Sequence, residues 1–294
     1  MSGIFDVHVH YPAGSILGIA DRLNQKDEPS EAERFKALEA VVAQCEEADI
    51  RKSCLLGGWG RVNGWVLEAA AEYPKLFLPM AFVDLDAESP EGIHRMCDQG
   101  FRGVKVILPR RNYDDPSYMP LYTELCRQKM PILFHTGVFG GMEDYLEADP
   151  KKPSKKAVEM DDRMSRIGTS SARMRAIYLD GIAAELPELR IIGAHLGYGE
   201  YELACAVARW RRNVYFDLSG GDTVRRHIRD KALIGKEVSW RKLVWGSDCS
   251  TDKIAEETRI WKAQLKEAGL GPEGIEAVLW GNAAWMFGVE GNGK

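Results

Sequence analysis

Two histidines near the start of the chain have the spacing of a metal-chelating pair. They lie in the segment Ile4–His10, which is predicted to be a strand. Side chains two residues apart on a strand point to the same face, so His8 and His10 present their imidazoles side by side while Val7 and Val9 pack the other way. Neutral imidazoles are common ligands of divalent transition metals, so the pair predicts part of a metal site.

The other histidines strengthen this prediction by their positions. His135 and His195 each end or follow a run of apolar residues, and the carboxylate of Asp248 ends another such run. The remaining two, His94 and His227, fall in segments with a helical pattern and are predicted to face solvent or an interface. Every histidine outside the helices therefore lies at the end of a predicted strand, which chance seldom produces.

Short apolar segments alternate with amphipathic ones along the whole chain. The predicted strands are Ile4–His10, Ser53–Trp59, Leu76–Val83, Arg102–Leu108, Pro131–Gly137, Leu189–Ala194, Val214–Leu218 and Lys242–Asp248. The predicted helices are Ser30–Ala48, Val62–Ala71, Glu88–Gln99, Met119–Lys129, Arg173–Glu185, Tyr201–Trp210, Thr223–Ile234, Ile254–Ala268 and Glu273–Phe287. Eight strands that alternate with helices predict an α/β fold of the TIM (β/α)8 barrel type in a single domain, residues 1–294, and an open doubly wound sheet is the alternative.

The barrel would turn the scattered histidines into one site. In such a barrel the carboxyl ends of all strands meet at one face, where active sites are found. The groups that would meet there are His8, His10, His135, His195 and Asp248. All five can bind a metal, so the sequence predicts a metal site at the mouth of the barrel.

Composition and charge restrict the class of partner. A chain of 294 residues with 45% hydrophobic residues can bury a large core, and a net charge of −5 offers no basic face for nucleic acid. No apolar run reaches the roughly 20 residues of a membrane span, and the first residues lack the pattern of a signal peptide. The six scattered cysteines form no CxxC pair, as is typical of thiols in a reducing compartment. We therefore expect a cytoplasmic protein that binds a small-molecule substrate, and neither nucleic acid nor membranes.

Six short motifs resemble, in order, those of the metal-dependent amidohydrolase superfamily. They are Phe5–His10, Gly103–Lys105, Pro131–His135, Ala194–Gly197, Gly246–Asp248 and Gly281–Ala284. Within the superfamily the chain is similar to the amidohydrolase-related branch, which includes aminocarboxymuconate-semialdehyde decarboxylase, resorcylate-type decarboxylases and some lactonases. The ordered set spans nearly the whole chain and is specific to the superfamily, but not to a substrate.

The resemblance implies one divalent metal per chain. Its implied ligands are His8, His10, His135 and Asp248. His195 would then lie beside the metal or at the substrate. Three neutral ligands and one carboxylate suit zinc and leave a position open for water. Manganese and iron remain alternatives, because ligand type alone does not select the metal.

Two reactions are compatible with this set of residues. In the first, a metal-bound water attacks the carbonyl of an amide, ester or lactone, while Asp248 shuttles the proton and His195 polarises the carbonyl. In the second, a non-oxidative decarboxylation, either of these two residues delivers the proton that replaces carbon dioxide. A third hypothesis is a barrel that binds without catalysis. The presence of the complete set argues against it, and we favour the hydrolase.

Three further residues are predicted to contact the substrate. Lys105 ends the fourth strand, where binuclear members of the superfamily carry a carboxylated lysine between two metals. The resembled branch is mononuclear, so we favour Lys105 as an unmodified cation. Arg163 lies in the long polar segment after the fifth strand and could bind an acidic substrate through its guanidinium group. Trp59, between glycines, could wall the pocket or pack in the core. The many tryptophans of the last third could form an interface patch, which favours a homo-oligomer, and packing of the barrel and its helices explains them equally well.

Overall fold

Eight parallel strands form one sheet in which each strand pairs with the next in chain order. The computed structural model describes residues 3–12, 28–139, 151–152, 158 and 164–289. The strands are β1 Ile4–His10, β2 Ile50–Leu56, β3 Phe77–Phe82, β4 Gly103–Val106, β5 Ile132–Phe134, β6 Ile191–Gly193, β7 Val214–Asp217 and β8 Leu243–Val244. All eight predicted strands are present, and most are shorter than the sequence indicated.

Backbone hydrogen bonds join the first strand to the chain at the end of the last one. The N–H of Val7 donates to the carbonyl of Trp245 at 3.0 Å, and the N–H of Asp248 donates to the carbonyl of His8 at 2.8 Å. An open sheet would leave these two edges apart. The predicted TIM barrel is therefore confirmed, and the doubly wound alternative is wrong.

Helices follow the strands as predicted, with changes at their ends. The α-helices of five or more residues within the described ranges are α1 Glu31–Ala48, α2 Val62–Glu72, α3 Pro90–Asp98, α4 Met119–Arg127, α5 Tyr178–Glu185, α6 Tyr201–Trp210, α7 Gly221–Asp230, α8 Ile254–Glu267, α9 Pro272–Glu276 and α10 Asn282–Phe287. Helix α5 begins later than predicted because a short 3-10 turn, Ser171–Arg173, precedes it. Between α9 and α10 the chain is π-helical over Ala277–Gly281. Among the described residues, no helix is both long and apolar enough to cross a bilayer.

The inside of the barrel is packed with apolar side chains and is closed at one end. Phe5 lies in this inner cluster, and its ring contacts Trp280 at 5.8 Å and Phe287 at 5.5 Å between centroids. These two residues belong to the C-terminal helical segment, which thus covers the amino-terminal end of the strands. The opposite end, at the carboxyl ends of the strands, is where the polar side chains gather.

A bulge interrupts the regular alternation of β1. The register between β1 and β2 shifts between Asp6 and Val9. As a result Val7 packs in the inner cluster while Val9 packs in the outer cluster, between the barrel and its helices. The prediction that the two valines pack on the same side is therefore wrong. Bulges often re-aim side chains next to active sites, and this one turns His8 toward the inside of the barrel.

Candidate metal and active site

The structure brings all five predicted metal-binding groups together at the carboxyl ends of β1, β5, β6 and β8. The carboxylate of Asp248 lies in their midst, with Oδ1 3.2 Å from His10 Nε2 and 3.6 Å from His8 Nε2. Its second oxygen, Oδ2, is 3.6 Å from His195 Nε2. The ring of His135 approaches from β5, and its Nδ1 is 3.3 Å from His195 Nε2.

The three residues whose ligand atoms lie closest together are not the ligand set that the resemblance implies. One ligand atom each from His8, His195 and Asp248 lies within 4.8 Å of the others. His195 was expected beside the metal rather than on it, while His10 and His135 were expected as ligands. His10 and His135 each lie within 3.3 Å of a member of this group, and the choice of ligands among the five stays a prediction.

Burial keeps the inner imidazoles in their neutral form. It lowers the pKa of His8, lowers the pKa of His135 well below its ordinary value, and lowers the pKa of His195 to about 4. A neutral imidazole offers a lone pair to a metal. Within the part of the chain that the structure describes, buried His135 Nε2 and His10 Nδ1 have no hydrogen-bond partner. An unpartnered buried nitrogen such as His135 Nε2, on a ring whose Nδ1 lies 3.3 Å from His195 Nε2, fits a site for a divalent metal.

Asp248 is the charged member of the group. Burial opposes its ionisation, but the neighbouring His8 and His10 outweigh burial and hold its pKa well below the ordinary value. Its side chain is 23% exposed, against 1% for His8, so it faces the mouth. Its backbone has a φ of +39°, a left-handed conformation that an aspartate seldom adopts. The bond from its N–H to the carbonyl of His8 helps to hold this conformation.

A carboxylate at the end of β7 supports the site from behind. Asp217 is fully buried, and its Oδ2 lies 2.8 Å from His8 Nδ1. Burial raises its pKa, but the electrostatic interaction with the neighbouring His8 and the hydrogen bond between the two side chains lower it by more, so the pKa lies below the ordinary value. Asp217 was not among the site residues predicted from the sequence. It is the last residue of β7 but only the last but one of the predicted strand Val214–Leu218, so a rule based on strand ends would have needed the correct boundary to find it.

A second buried carboxylate joins the two strands that carry the site. Oδ1 of Asp6 accepts the N–H of His8 at 3.0 Å and the N–H of Ser247 at 2.9 Å. The second of these bonds crosses from β1 to the segment after β8, and the first lies within β1 where the bulge breaks the regular ladder. Burial raises the pKa of Asp6 to about 6. Asp6 thus fixes the positions of His8 and, through the neighbouring Ser247, of Asp248.

The three residues predicted to contact substrate have different outcomes. Lys105 is the third residue of β4 and only 1% exposed, and its Nζ lies 3.2 Å from His8 Nε2. Burial lowers its pKa to about 8. Trp59 is partly buried against Phe82, with ring centroids 4.6 Å apart. Arg163 lies outside the described residues. Contact of these residues with a substrate stays a prediction.

Comparison with known proteins identifies the family. A family model described as "Amidohydrolase" matches residues 5–289, which is nearly the whole chain. The chain belongs to this amidohydrolase family. The family that the motifs predicted is confirmed, and the protein is an enzyme of the amidohydrolase superfamily. A search of curated proteins found no match.

Several solved structures share the fold of this amidohydrolase. A dihydroxybenzoic acid decarboxylase from a Polaromonas species, with bound manganese and an inhibitor, is 16% identical with a TM-score of 0.63, over 98% of both chains. A 5-carboxyvanillate decarboxylase from Sphingomonas paucimobilis is 15% identical with a TM-score of 0.65, over 99% of this chain and 100% of the other. A probable 2-pyrone-4,6-dicarboxylic acid hydrolase from Acinetobacter baumannii is 14% identical with a TM-score of 0.59, over 97% and 99%. At these identities the likeness shows the fold alone. The family match and the donor set of the site together indicate a divalent metal.

The neutral imidazoles of the amidohydrolase predict a loss of stability in mild acid when no metal is bound. Between pH 6.5, the ordinary pKa of histidine, and about 4, the unfolded chain binds a proton that His195 in the folded chain does not. The free energy of unfolding should therefore fall as the pH drops, by about 2 kcal/mol from pH 7 to pH 5 for His195. Urea unfolding of the chelator-treated protein measures this change. His195→Gln should flatten the slope, while His94→Gln, on the exposed face of α3, should keep it.

Proposed function

We propose that this amidohydrolase is a metal-dependent hydrolase that acts on the carbonyl of an amide, ester or lactone in a small acidic molecule. The observation that carries the proposal is the placement of Asp248. Its carboxylate lies 3.2–3.6 Å from nitrogens of His8, His10 and His195, and with His10 it is one of the two partly exposed members of the group. A substrate that enters the mouth of the barrel meets a carboxylate base beside a set of metal-binding imidazoles.

A divalent metal would be held by a subset of the five groups, with His8, His195 and Asp248 as the tightest combination. When bound, it supplies Lewis acidity, which lowers the pKa of water and polarises a carbonyl oxygen. Nitrogen donors with one carboxylate suit zinc. Manganese is the metal bound in the Polaromonas decarboxylase, so manganese and iron belong in the same test.

The chain's own residues would carry out the proton transfers. Asp248 has two oxygens in the site, and one of them is free to accept the proton of the attacking water when the other is engaged. The same carboxylate can then return the proton to the leaving group. His195, 3.6 Å from Asp248 Oδ2, is the second group at the reacting atoms.

Lys105 supports the choice of an acidic substrate. A fully buried ammonium group is costly unless negative charge lies near it, and Asp248 and Asp217 supply part of that charge. Lys105 Nζ lies within hydrogen-bond distance of His8 Nε2, directly beneath the site. Positive charge at this depth favours the binding of a carboxylate-bearing substrate at the imidazoles above.

Non-oxidative decarboxylation of an aromatic or unsaturated carboxylic acid is the second candidate. It is favoured by similar barrels that are decarboxylases, among them those of dihydroxybenzoic acid and of 5-carboxyvanillate. In this reaction Asp248 or His195 would give a proton to the carbon that loses carbon dioxide. The probable dicarboxylic acid hydrolase keeps the first candidate open on the same grounds.

A panel of acidic lactones, esters, amides and aromatic carboxylates tests the two candidates. The protein is loaded in turn with zinc, manganese or iron, and acid release and carbon dioxide are measured in parallel. Acid release without carbon dioxide supports the hydrolase, and carbon dioxide release supports the decarboxylase. Turnover must disappear in His8→Ala/His10→Ala and persist in His94→Ala/His227→Ala, whose histidines lie on the outer helices α3 and α7. Absence of turnover with every metal would contradict both candidates and leave a binding barrel.

A further inference from the structure

One buried carboxylate contacts two of the site histidines at once. Asp217 Oδ2 lies 2.8 Å from His8 Nδ1, and Asp217 Oδ1 accepts the backbone N–H of His195 at 2.8 Å. Asp217 itself is 0% exposed. Because Asp217 is buried, its hydrogen bonds go to the protein groups around it, among them the two site histidines.

The hydroxyl of Ser219 links this carboxylate to the imidazole of His195 by hydrogen bonds. Ser219 is 1% exposed, its N–H donates to Asp217 Oδ1 at 3.0 Å, and its hydroxyl is hydrogen-bonded to the same oxygen. Ser219 Oγ also lies 2.7 Å from His195 Nδ1. A continuous series of hydrogen bonds therefore leads from the Asp217 carboxylate through the Ser219 hydroxyl to the His195 imidazole.

The number of protons available in this series of hydrogen bonds determines which atom donates in each bond. An ionised carboxylate can only accept hydrogen bonds, so the single hydroxyl proton of Ser219 points to Asp217. The hydroxyl oxygen is then an acceptor toward His195, and the proton of that contact must come from Nδ1 of the imidazole. On the other oxygen, the same reasoning makes His8 Nδ1 a donor to Asp217. If either imidazole carried its proton on Nε2 instead, its Nδ1 lone pair would face a lone pair of an oxygen atom in a buried space.

We propose that Asp217, directly and through Ser219, is a positioning residue that locks two site imidazoles in the tautomer with the proton on Nδ1. The two imidazoles are those of His8 and His195. Both then turn an unprotonated Nε2 toward Asp248, at 3.6 Å from its two oxygens. This inference rests on the proposed function only for its consequence, namely that both nitrogens are ready to bind a metal or accept a proton.

The lock also assigns a chemical character to His195. With its proton on Nδ1, the Nε2 atom is an acceptor and cannot donate a hydrogen bond to a carbonyl oxygen. The neutral imidazole therefore acts as a ligand or as an acceptor of a proton, not as the group that polarises the carbonyl. The backbone of His195 has a φ of +59°, and the bond from its N–H to Asp217 holds this unfavourable conformation in place.

Nitrogen NMR of the full-length chain tests the tautomers without any need for activity. In protein labelled with 15N at histidine, protonated and unprotonated ring nitrogens have well-separated shifts, and single His→Gln variants assign the signals. Measured at pH 8 on the protein as purified and after treatment with a chelator, both histidines should carry their proton on Nδ1 in both samples. A proton on Nε2 of either ring in the chelated sample would overturn the proposal, because the metal alone would then select the tautomer.

Serine variants separate the lock from a general effect on packing. In chelated Ser219→Ala, the proton of His195 should move to Nε2 in a large part of the molecules. His8 Nδ1 loses a 3.4 Å contact with the Ser219 hydroxyl but keeps its 2.8 Å contact with Asp217, so the tautomer of His8 should not change. Ser219→Thr should restore the wild-type signals. Ser53→Ala is the matched control, since Ser53 is a fully buried serine on β2 whose hydroxyl has no partner among the described residues. Unchanged His195 signals in Ser219→Ala would overturn the proposal.

Metal affinity is the second readout and distinguishes failure of the lock from failure of the proposed function. Loss of a hydrogen bond behind a ligating imidazole typically lowers metal affinity by about 10- to 100-fold. We expect this loss for zinc in Ser219→Ala, measured by chelator competition, and recovery in Ser219→Thr. A wild-type protein with the expected tautomers and metal affinity, but without turnover on any substrate, would contradict the hydrolase and leave the lock intact.

Discussion

The double variant His8→Ala/His10→Ala is expected to lose its bound metal and to keep its barrel. Both imidazoles lie within 3.6 Å of Asp248, so the variant removes two nitrogen donors from around the only carboxylate in the five-residue group. The remaining donors, His135 and His195, cannot complete a site of four ligands with Asp248. Plasma mass spectrometry should find about one equivalent of metal per wild-type chain and less than about a tenth in the variant.

Two controls make this result specific. The variant His94→Ala/His227→Ala also removes two histidines, but from the outer helices α3 and α7, and should keep its metal. Far-ultraviolet circular dichroism should show the same helical content in all three proteins, because the inner cluster around Phe5 and Trp280 is unchanged. Nearly two equivalents of metal per wild-type chain would support the alternative in which a carboxylated Lys105 lies between two metals. No metal under any loading condition would contradict the metal site itself.

The barrel and its family could be predicted because both depend on local patterns that repeat along the chain. Each strand is a short apolar run between helices, and each histidine outside a helix ends such a run. The geometry of a parallel barrel then brings all strand ends to one face, whatever the loops do. For this reason His135 and Asp248, 113 positions apart in the sequence, were expected and found in one cluster.

Departures from regular geometry could not be predicted in the same way. The bulge in β1 depends on how β1 meets both β2 and the segment after β8, and no local pattern in Ile4–His10 specifies it. The left-handed backbones of His195 and Asp248 likewise depend on distant partners, Asp217 and His8. These positions break the local rules, as is common where a structure holds functional groups in place.

The tryptophans show that the sequence pattern also could not tell an exposed interface residue from a buried one. Their pattern in the last third predicted an interface patch, but the structure buries Trp245, Trp261 and Trp280 in the core. Among the tryptophans, all of which lie within the described residues, two are well exposed, Trp210 at 80% and Trp285 at 56%. Packing on the barrel therefore explains most of the pattern, and the homo-oligomer stays a prediction that rests on these two residues.

The variant Asp248→Asn is expected to lower kcat by about 10²- to 10⁴-fold, with a much smaller change in KM. The amide has the size of the carboxylate and can keep the backbone conformation, but it carries no charge and cannot take up the proton of the attacking water. Because the carboxylate also lies within reach of three imidazole nitrogens, metal content must be measured on the same sample. Assays at saturating metal then separate the loss of the base from the loss of a ligand.

The matched control is Asp98→Asn, which neutralises a carboxylate that is 68% exposed and lies at the end of the outer helix α3. It should leave kcat, KM and metal content unchanged. If Asp248→Asn kept its turnover at full metal occupancy, the proton would have to be accepted by another group. His195 would be the remaining candidate, because its Nε2 is the nearest unprotonated nitrogen to Asp248 Oδ2 when Ser219 holds the proton of the ring on Nδ1.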